Sequence, residues 1–160
     1  MNAAEFETFL KGLIEQDASA SVRVATFAEA GYTISRYGLR MTLPAGATIY
    51  LQIVSSGGPH RSADELGPPP PPHPPVVLPA RGRTSLAAVE QYLGSVLTGS
   101  QDQRIRDVEV YGARPVRGAV PCGLNVTFHS GNRISCYIAH ALRAGVNEPG
   151  TRRFPSIRSI

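Results

Sequence analysis

The chain has 160 residues, 42% hydrophobic side chains and a formal net charge of +4 at pH 7. A chain of this length can enclose a substantial core as one domain. No apolar run approaches the ~20 residues that span a bilayer, and the acidic start lacks a signal-peptide pattern. We therefore expect a cytoplasmic protein with no membrane segment. The alternative is delivery by a route that uses no cleavable signal.

The basic charge consists almost entirely of arginine, with fifteen Arg and one Lys. This ratio is as typical of a GC-rich genome as of a selected nucleic-acid surface. The arginines are scattered and are not interleaved with aromatic residues, as a platform for single-stranded nucleic acid requires. Codon bias is therefore the favoured interpretation of the charge.

The first predicted element is a helix. Asn2, followed three residues later by Glu5, forms a capping-box pattern, so the helix should begin near Ala3 and end near Gln16 or Asp17. Its apolar residues recur at helical spacing. They are Phe6, Phe9, Leu10, Leu13 and Ile14.

A strand over 21–28 and a hairpin over 38–54 should follow. Directly opposed residues of a hairpin point to the same side of the sheet. An odd loop, most simply 45–47, is therefore needed to gather the apolar side chains of this hairpin on one face. The predicted pairs are Leu43 with Ile49, Met41 with Leu51 and Leu39 with Ile53.

Residues 55–83 form a connector that contains five consecutive prolines at 68–72. Such a run adopts polyproline II, a semi-rigid spacer of about 3 Å per residue. A stiff strap between two half-repeats is the favoured interpretation. A ligand for a domain that recognises proline-rich peptides is the alternative.

The second half of the chain repeats this order. A helix should run from near Ser85 to before Gly99, followed by a strand over 105–111, an irregular loop over 112–121 and a hairpin reaching about His140. The hairpin should turn at 130–132. The predicted pairs are Phe128 with Ile134, Val126 with Cys136 and Leu124 with Ile138.

The two halves are similar in sequence. Residues 38–54 align without a gap on 123–139, at a constant offset of 85 and with six identities, and the helix stripes repeat at an offset of 83. This similarity predicts an α+β fold built by internal duplication of an α-β-β-β unit, with antiparallel strands and two helices. One domain would span 1–160, with half-repeats 1–54 and 84–140, the connector 55–83 and a basic tail over 145–160.

Four side chains in the second hairpin are of types that bind zinc, namely Cys122, His129, Cys136 and His140. Their spacing matches no common zinc site, and the predicted register separates them, so no metal or other cofactor is predicted. That register places Cys122 opposite His140. The pair is a weak candidate for a thiol nucleophile with its base. A core thiol beside a satisfied histidine is the favoured alternative.

Other catalytic patterns are missing from the sequence. It has no glycine-rich phosphate loop, no zinc-protease motif and no nucleophile elbow. Asp107 and Glu109 share a strand face but should be solvated. We therefore predict no enzymatic activity.

The leading hypothesis is a non-catalytic protein–protein interaction module of the adaptor, chaperone or inhibitor type. It would bind another protein through a sheet face or edge, and a homodimer is possible. The candidate contact residues lie in the basic tail: Arg152, Arg153, Phe154, Ile157 and Arg158. A disordered terminus is the alternative interpretation of the tail.

Two other functions remain open. Arg23, Arg40, Arg106 and Arg133 occupy strand positions predicted to face solvent, so an arginine-bearing sheet face could bind nucleic acid with a strong salt dependence. A small thiol enzyme centred on Cys122 is the third hypothesis.

Overall fold

A computed structural model of the protein describes residues 1–57, 65–116 and 118–160. The described residues form two helices, six strands and a short 3-10 turn. The elements are α1 (Ala3–Gln16), β1 (Arg23–Thr26), β2 (Gly38–Thr42), β3 (Thr48–Ser56), α2 (Leu86–Gly99), β4 (Ile105–Val110), the 3-10 turn (Tyr111–Ala113), β5 (Gly123–Phe128) and β6 (Arg133–Leu142). The strands pair antiparallel in the order β1-β2-β3-β6-β5-β4. The α+β prediction is confirmed.

Both helices begin at the predicted caps. The Asn2 side chain accepts a hydrogen bond from the Glu5 N–H at 2.9 Å, and the Glu5 carboxylate accepts one from the Asn2 N–H at 2.9 Å. The Ser85 hydroxyl accepts the Ala88 N–H at 3.1 Å. Capping of this kind satisfies N–H groups that have no partner within the helix.

Strand β1 is shorter than the predicted 21–28. The Glu29 carboxylate accepts the Thr26 N–H at 2.7 Å, and the Thr26 hydroxyl accepts the Glu29 N–H at 3.1 Å. These reciprocal bonds start a turn at Thr26, which ends the strand.

The apolar stripes of both helices pack on the same face of the sheet and form one core. Its buried residues include Phe6, Leu10 and Ile14 from α1, Val89, Leu93 and Leu97 from α2, and Leu39, Met41, Leu51, Leu124, Val126 and Ile138 from the sheet. The other face, here called the helix-free face, carries a smaller buried cluster of Phe27, Tyr32 and Tyr50.

The predicted registers of both hairpins are wrong by two residues, although the odd loops and the buried face are right. In the first hairpin Leu39 pairs with Leu51 and Met41 with Ile49. In the second, Leu124 pairs with Cys136 and Val126 with Ile134. A shift of two residues returns every side chain to the same face, so the apolar pattern fits both registers equally well.

The turns decide the register. The Leu43 N–H donates to the Ala47 carbonyl at 2.8 Å, which closes a loop over 44–46. The Phe128 N–H donates to the Asn132 carbonyl at 2.9 Å and closes the equivalent loop over 129–131. Each loop ends on a glycine with positive φ, Gly46 at 94° and Gly131 at 90°. This backbone conformation is strained for other residues.

The predicted connector over 55–83 begins too early, because β3 extends through Ser56. Residues 65–83 follow the fold with no helix or strand. The Gly67 N–H donates to the Gln103 carbonyl of the α2–β4 loop at 2.9 Å. The His73 N–H donates to Thr98 Oγ1 of α2 at 2.9 Å, and His129 Nε2 of the β5–β6 loop lies 3.0 Å from the Pro68 carbonyl. Residues 58–64 of the predicted connector lie outside the described residues. The contacts of the rest are those of a strap held against the core.

Two glycines lie where the strands leave no room for a side chain. A Cβ at Gly38 would overlap the Phe27 ring and the Leu51 carbonyl, and a Cβ at Gly123 would overlap the Cys136 carbonyl. We predict that Gly38→Ala and Gly123→Ala each lower the free energy of unfolding by about 2 kcal/mol or more. Urea denaturation followed by circular dichroism measures this change.

Gly12→Ala is the matched control, since a Cβ at Gly12 would meet nothing within 4 Å. It should raise the free energy of unfolding by about 0.5–1 kcal/mol, as expected for a helix interior. Wild-type stability in either strand variant would contradict the close approach of the two strands.

Candidate functional site

The structure does not bring Cys122 and His140 together. The Ile138 N–H donates to the Cys122 carbonyl at 3.1 Å, so Cys122 lies opposite Ile138 rather than His140. The β3–β6 register then shifts between Tyr50 and Leu51, and His140 pairs with Tyr50 on the helix-free face. The predicted opposition of Cys122 and His140 is wrong because of the two-residue register difference and this bulge.

His140 is buried in the aromatic cluster of the helix-free face. Its Nε2 lies 3.0 Å from the Tyr32 hydroxyl, and its ring meets the rings of Tyr32 and Tyr50 edge-on, at interplanar angles of 77° and 89°. Burial lowers the pKa of His140, the charge of Arg153 lowers it further, and the Arg152 carbonyl opposes both. This environment holds a neutral imidazole in a structural role.

The lowered pKa of His140 gives stability a pH dependence. As the pH falls, His140 in the unfolded chain is protonated near the ordinary histidine pKa of about 6.5, whereas in the folded protein it is protonated only at a lower pH. We therefore predict that the contribution of His140 is fully present above that pH and is lost as the pH falls through the lower, folded-state pKa. The difference in unfolding free energy between wild type and His140→Gln should shrink over this range.

Chemical denaturation of both proteins between neutral and mildly acidic pH measures this difference. The two proteins differ only at residue 140, so the difference between them isolates His140. Parallel stability curves would contradict the burial of a neutral His140.

The other two zinc-type side chains lie apart. Burial raises the pKa of the Cys136 thiol, which sits in the core beneath the helices. His129 lies at the β5–β6 loop, against the connector. Among the described residues no group of three or more His, Cys, Asp or Glu side chains is arranged to hold a metal ion.

The first part of the basic tail is docked on the protein's own sheet. The Arg153 guanidinium donates to the Ser35 hydroxyl at 3.1 Å and to the Gln52 side-chain oxygen. The Phe154 N–H donates to the Ala139 carbonyl at 2.8 Å, and the Phe154 ring lies edge-on to an aromatic ring of β6. Ala139 is the bulged residue of β6, which has no partner on β3.

The last residues of the tail pair with the start of α2. The Ile160 N–H donates to the Thr84 carbonyl at 2.9 Å, and the Leu86 N–H donates to the Arg158 carbonyl at 2.9 Å. The Ile160 side chain is buried. Of the five predicted contact residues, Arg152, Ile157 and Arg158 remain exposed.

A cavity of about 480 Å³ opens where this tail meets α2 and the loop that precedes β5. Three of the side chains predicted from the sequence line it: Cys122, Ile157 and Arg158. The lining also includes residues that were not predicted as site residues, among them Leu86, Glu90, Tyr111 and Arg114.

Glu90 is the buried charged group of this cavity, with only 2% of its surface exposed. Its carboxylate accepts the Gly123 N–H at 2.7 Å and the Gly112 N–H at 3.1 Å. Burial raises the pKa of Glu90, while the two N–H groups and the charge of Arg114 oppose the shift. Glu90 thus fixes both ends of the loop between β4 and β5.

The sequence does contain a signal for Glu90. The residue lies on the apolar stripe of α2, four positions after Leu86 and three before Leu93. A lone acid on a buried helix stripe must find hydrogen-bond donors within the fold.

Two further polar side chains of the cavity wall, Arg114 and Tyr111, have partners within the fold. Arg114 binds Glu109 through two parallel bonds of 3.0 and 2.8 Å, and its guanidinium carbon lies 3.7 Å from the centre of the Tyr111 ring. The Tyr111 hydroxyl donates to the Asn125 side chain at 2.8 Å. Burial raises the pKa of Tyr111 to about 12.

The four arginines of the nucleic-acid hypothesis do not form one surface. Arg23 and Arg40 lie on β1 and β2, at the opposite end of the sheet from Arg106 on the edge strand β4. Asp107 of β4 pairs with Thr127 of β5, and Thr127 pairs on its other side with Arg133 of β6, so Asp107 and Arg133 lie in one row across the sheet. Acidic side chains therefore interrupt the basic residues on this side.

Comparisons with protein-family models, with curated proteins and with solved structures found no match to this chain. In the part of the chain that the structure describes, no helix combines the length and the apolar character needed to cross a membrane.

Proposed function

We propose that this protein is a non-catalytic interaction module of the adaptor, chaperone or inhibitor type. The observation that supports this most is the cavity of about 480 Å³ between α2 and the tail. Catalysis needs an acid, base or nucleophile with a bonding position open to substrate. Glu90 is buried and accepts two backbone N–H groups, and Arg114 is paired with Glu109, so both already serve the fold. The recess that they line together with Cys122 suits an apolar anchor side chain of a partner.

The position of the cavity points to the form of the partner. It lies just beyond the C-terminal end of β4, reached through the 3-10 turn. Among the described residues β4 is an edge strand with no strand on its outer side. A partner segment in extended conformation would pair with β4 and insert an apolar residue into the cavity. Arg158 at the cavity favours an acidic residue beside that anchor.

We also infer that the chain arose by duplication of an α-β-β-β unit. Four residues of the first half support this inference. Glu7 accepts the Gly38 N–H at 2.7 Å, as Glu90 accepts that of Gly123 at 2.7 Å. The Leu39–Leu51 pair recurs, at an offset of 85, as the pair of Leu124 with Cys136. One ancestral unit accounts for both the shared register and the shared glutamate-to-glycine bond.

A photocrosslinking side chain at the cavity tests the interaction. Ala87 is exposed and lines the cavity, whereas Gln91, one turn further along α2, is exposed but lies outside it. We predict that a benzoylphenylalanine at Ala87 yields one adduct of discrete mass in the native cell, and that one at Gln91 does not. Mass spectrometry identifies the adduct.

Binding of the purified adduct partner then gives the quantitative test. Ala87→Arg fills the mouth of the cavity and should raise the Kd by about tenfold or more, because a lost anchor contact costs 1.4 kcal/mol or more. Gln91→Arg adds the same charge and should leave the Kd unchanged. A second copy of this chain as the adduct would identify a homodimer. No adduct, or equal effects of both substitutions, would contradict the proposal.

A further inference from the structure

A second concavity lies on the helix-free face, at the β1 end of the sheet. Its volume is about 380 Å³, and its lining is mostly polar. Arg23 and Arg40 reach it from β1 and β2, Thr42 and Thr48 from the first hairpin, and Asn147 from the loop after β6. We call this concavity the arginine groove.

The two arginines of the groove keep their charge uncompensated. Within the described residues no carboxylate lies within ion-pair distance of Arg23 or Arg40. Lys11, by contrast, pairs with Glu29 at 2.7 Å and Arg114 with Glu109 at 2.8 Å. The guanidinium groups of the groove therefore retain their hydrogen-bond donors for a ligand, and the local charge is positive.

Strand pairing fixes the arrangement of the donors. Arg23 lies opposite Thr42, and Arg40 lies opposite Ala25, two residues further along β1. The two arginines are thus diagonal neighbours on one face, with Cα atoms roughly 7–8 Å apart, a distance that long side chains bridge. Thr48 lies opposite Thr42 on the next strand and adds a second hydroxyl to the same row.

We propose that the arginine groove binds a single phosphate group. A planar carboxylate is satisfied by one bidentate arginine, whereas two guanidinium groups and two hydroxyls surround a tetrahedral oxyanion from several directions. A phosphorylated small molecule and one phosphate of a nucleic-acid backbone share this chemistry. The separation of this pair from Arg106 and Arg133 limits the site to one phosphate rather than the length of a strand.

Titration with inorganic phosphate, followed by amide NMR at constant ionic strength, tests this site. We expect saturable shifts confined to the groove, including the amides of Gly46 and Asn147. Arg23→Gln and Arg40→Gln should each raise the Kd by about tenfold or more, since a charge-assisted bond to phosphate contributes 1.4 kcal/mol or more. Arg133→Gln, outside the groove, is the matched control and should change nothing.

The exposed position of Arg23 keeps the test valid if the partly buried Arg40 variant folds poorly. Arg40→Lys adds a check on chemistry, because a lysine keeps the charge but loses the planar bidentate geometry. It should bind phosphate more weakly than wild type. Shifts that do not saturate, or equal losses from Arg133→Gln, would overturn the site.

A ten-residue oligothymidylate separates the two sources of phosphate. If the groove holds one backbone phosphate, log K should fall against log salt with a slope of about −0.7. No oligonucleotide binding alongside saturable phosphate binding would assign the groove to a small phosphorylated molecule. A much steeper slope that Arg106→Gln and Arg133→Gln both reduce would overturn the single-phosphate site in favour of an extended nucleic-acid surface.

Discussion

A glutamate on each helix holds the first residue of the strand beneath it. Glu7 of α1 accepts the Gly38 N–H at 2.7 Å, and Glu90 of α2 accepts the Gly123 N–H at 2.7 Å. Each glycine also lies against a carbonyl of the neighbouring strand, where a Cβ would overlap. The helix, the strand start and the hairpin are therefore fixed to one another at a single point in each half. Each bond satisfies a carboxylate and an N–H group at the edge of the shared core, where an unpaired polar group would be costly.

The same bond has different consequences in the two halves. Glu90 accepts a second N–H, from Gly112, and so ties down the long loop between β4 and β5. The cavity of about 480 Å³ forms between that loop, α2 and the tail. The first half carries instead the arginine groove, where Arg23 and Arg40 keep their donors. One architecture thus presents a recess of mixed lining at one end of the sheet and a cationic groove towards the other.

Much of the fold could be predicted from the sequence, because the spacing of apolar residues and the helix-capping residues are local signals. The capping box at Asn2, the two helix stripes and the odd hairpin loops specified the helices and the buried sheet face. The apolar pattern alone left the register open, because moving Leu39 from Ile53 to Leu51 keeps it on the same face. The signal that decides it is the glycine at the end of each three-residue loop, Gly46 and Gly131, which the apolar pattern does not weigh. Because of the register error, Cys122 was predicted opposite His140 instead of Ile138. In addition, the bulge in β6 places His140 on the opposite face of the sheet from the one predicted.

The candidate sites were less predictable than the fold. The arginine pair was predicted to face solvent. The groove also needs the loop after β6, and the sequence of that loop has no apolar spacing from which its position could be predicted. The tail was expected to bind a partner or to be disordered, whereas its pairing with Thr84 and Leu86 is a long-range contact. Glu90 could have been singled out, since a lone acid on an apolar helix stripe requires internal donors.

The most direct test of the glutamate-to-glycine anchors is a pH titration of the amide proton shift of Gly123. An N–H that donates to a carboxylate reports the protonation of that carboxylate. The Gly123 amide should therefore move as the pH is lowered, at a pH above the ordinary glutamate range because burial raises the pKa of Glu90. Glu90→Gln should abolish this titration, whereas Gln91→Glu, on the exposed face of α2, should leave it unchanged. A Gly123 amide shift that stays flat through the carboxylate range would contradict the anchor.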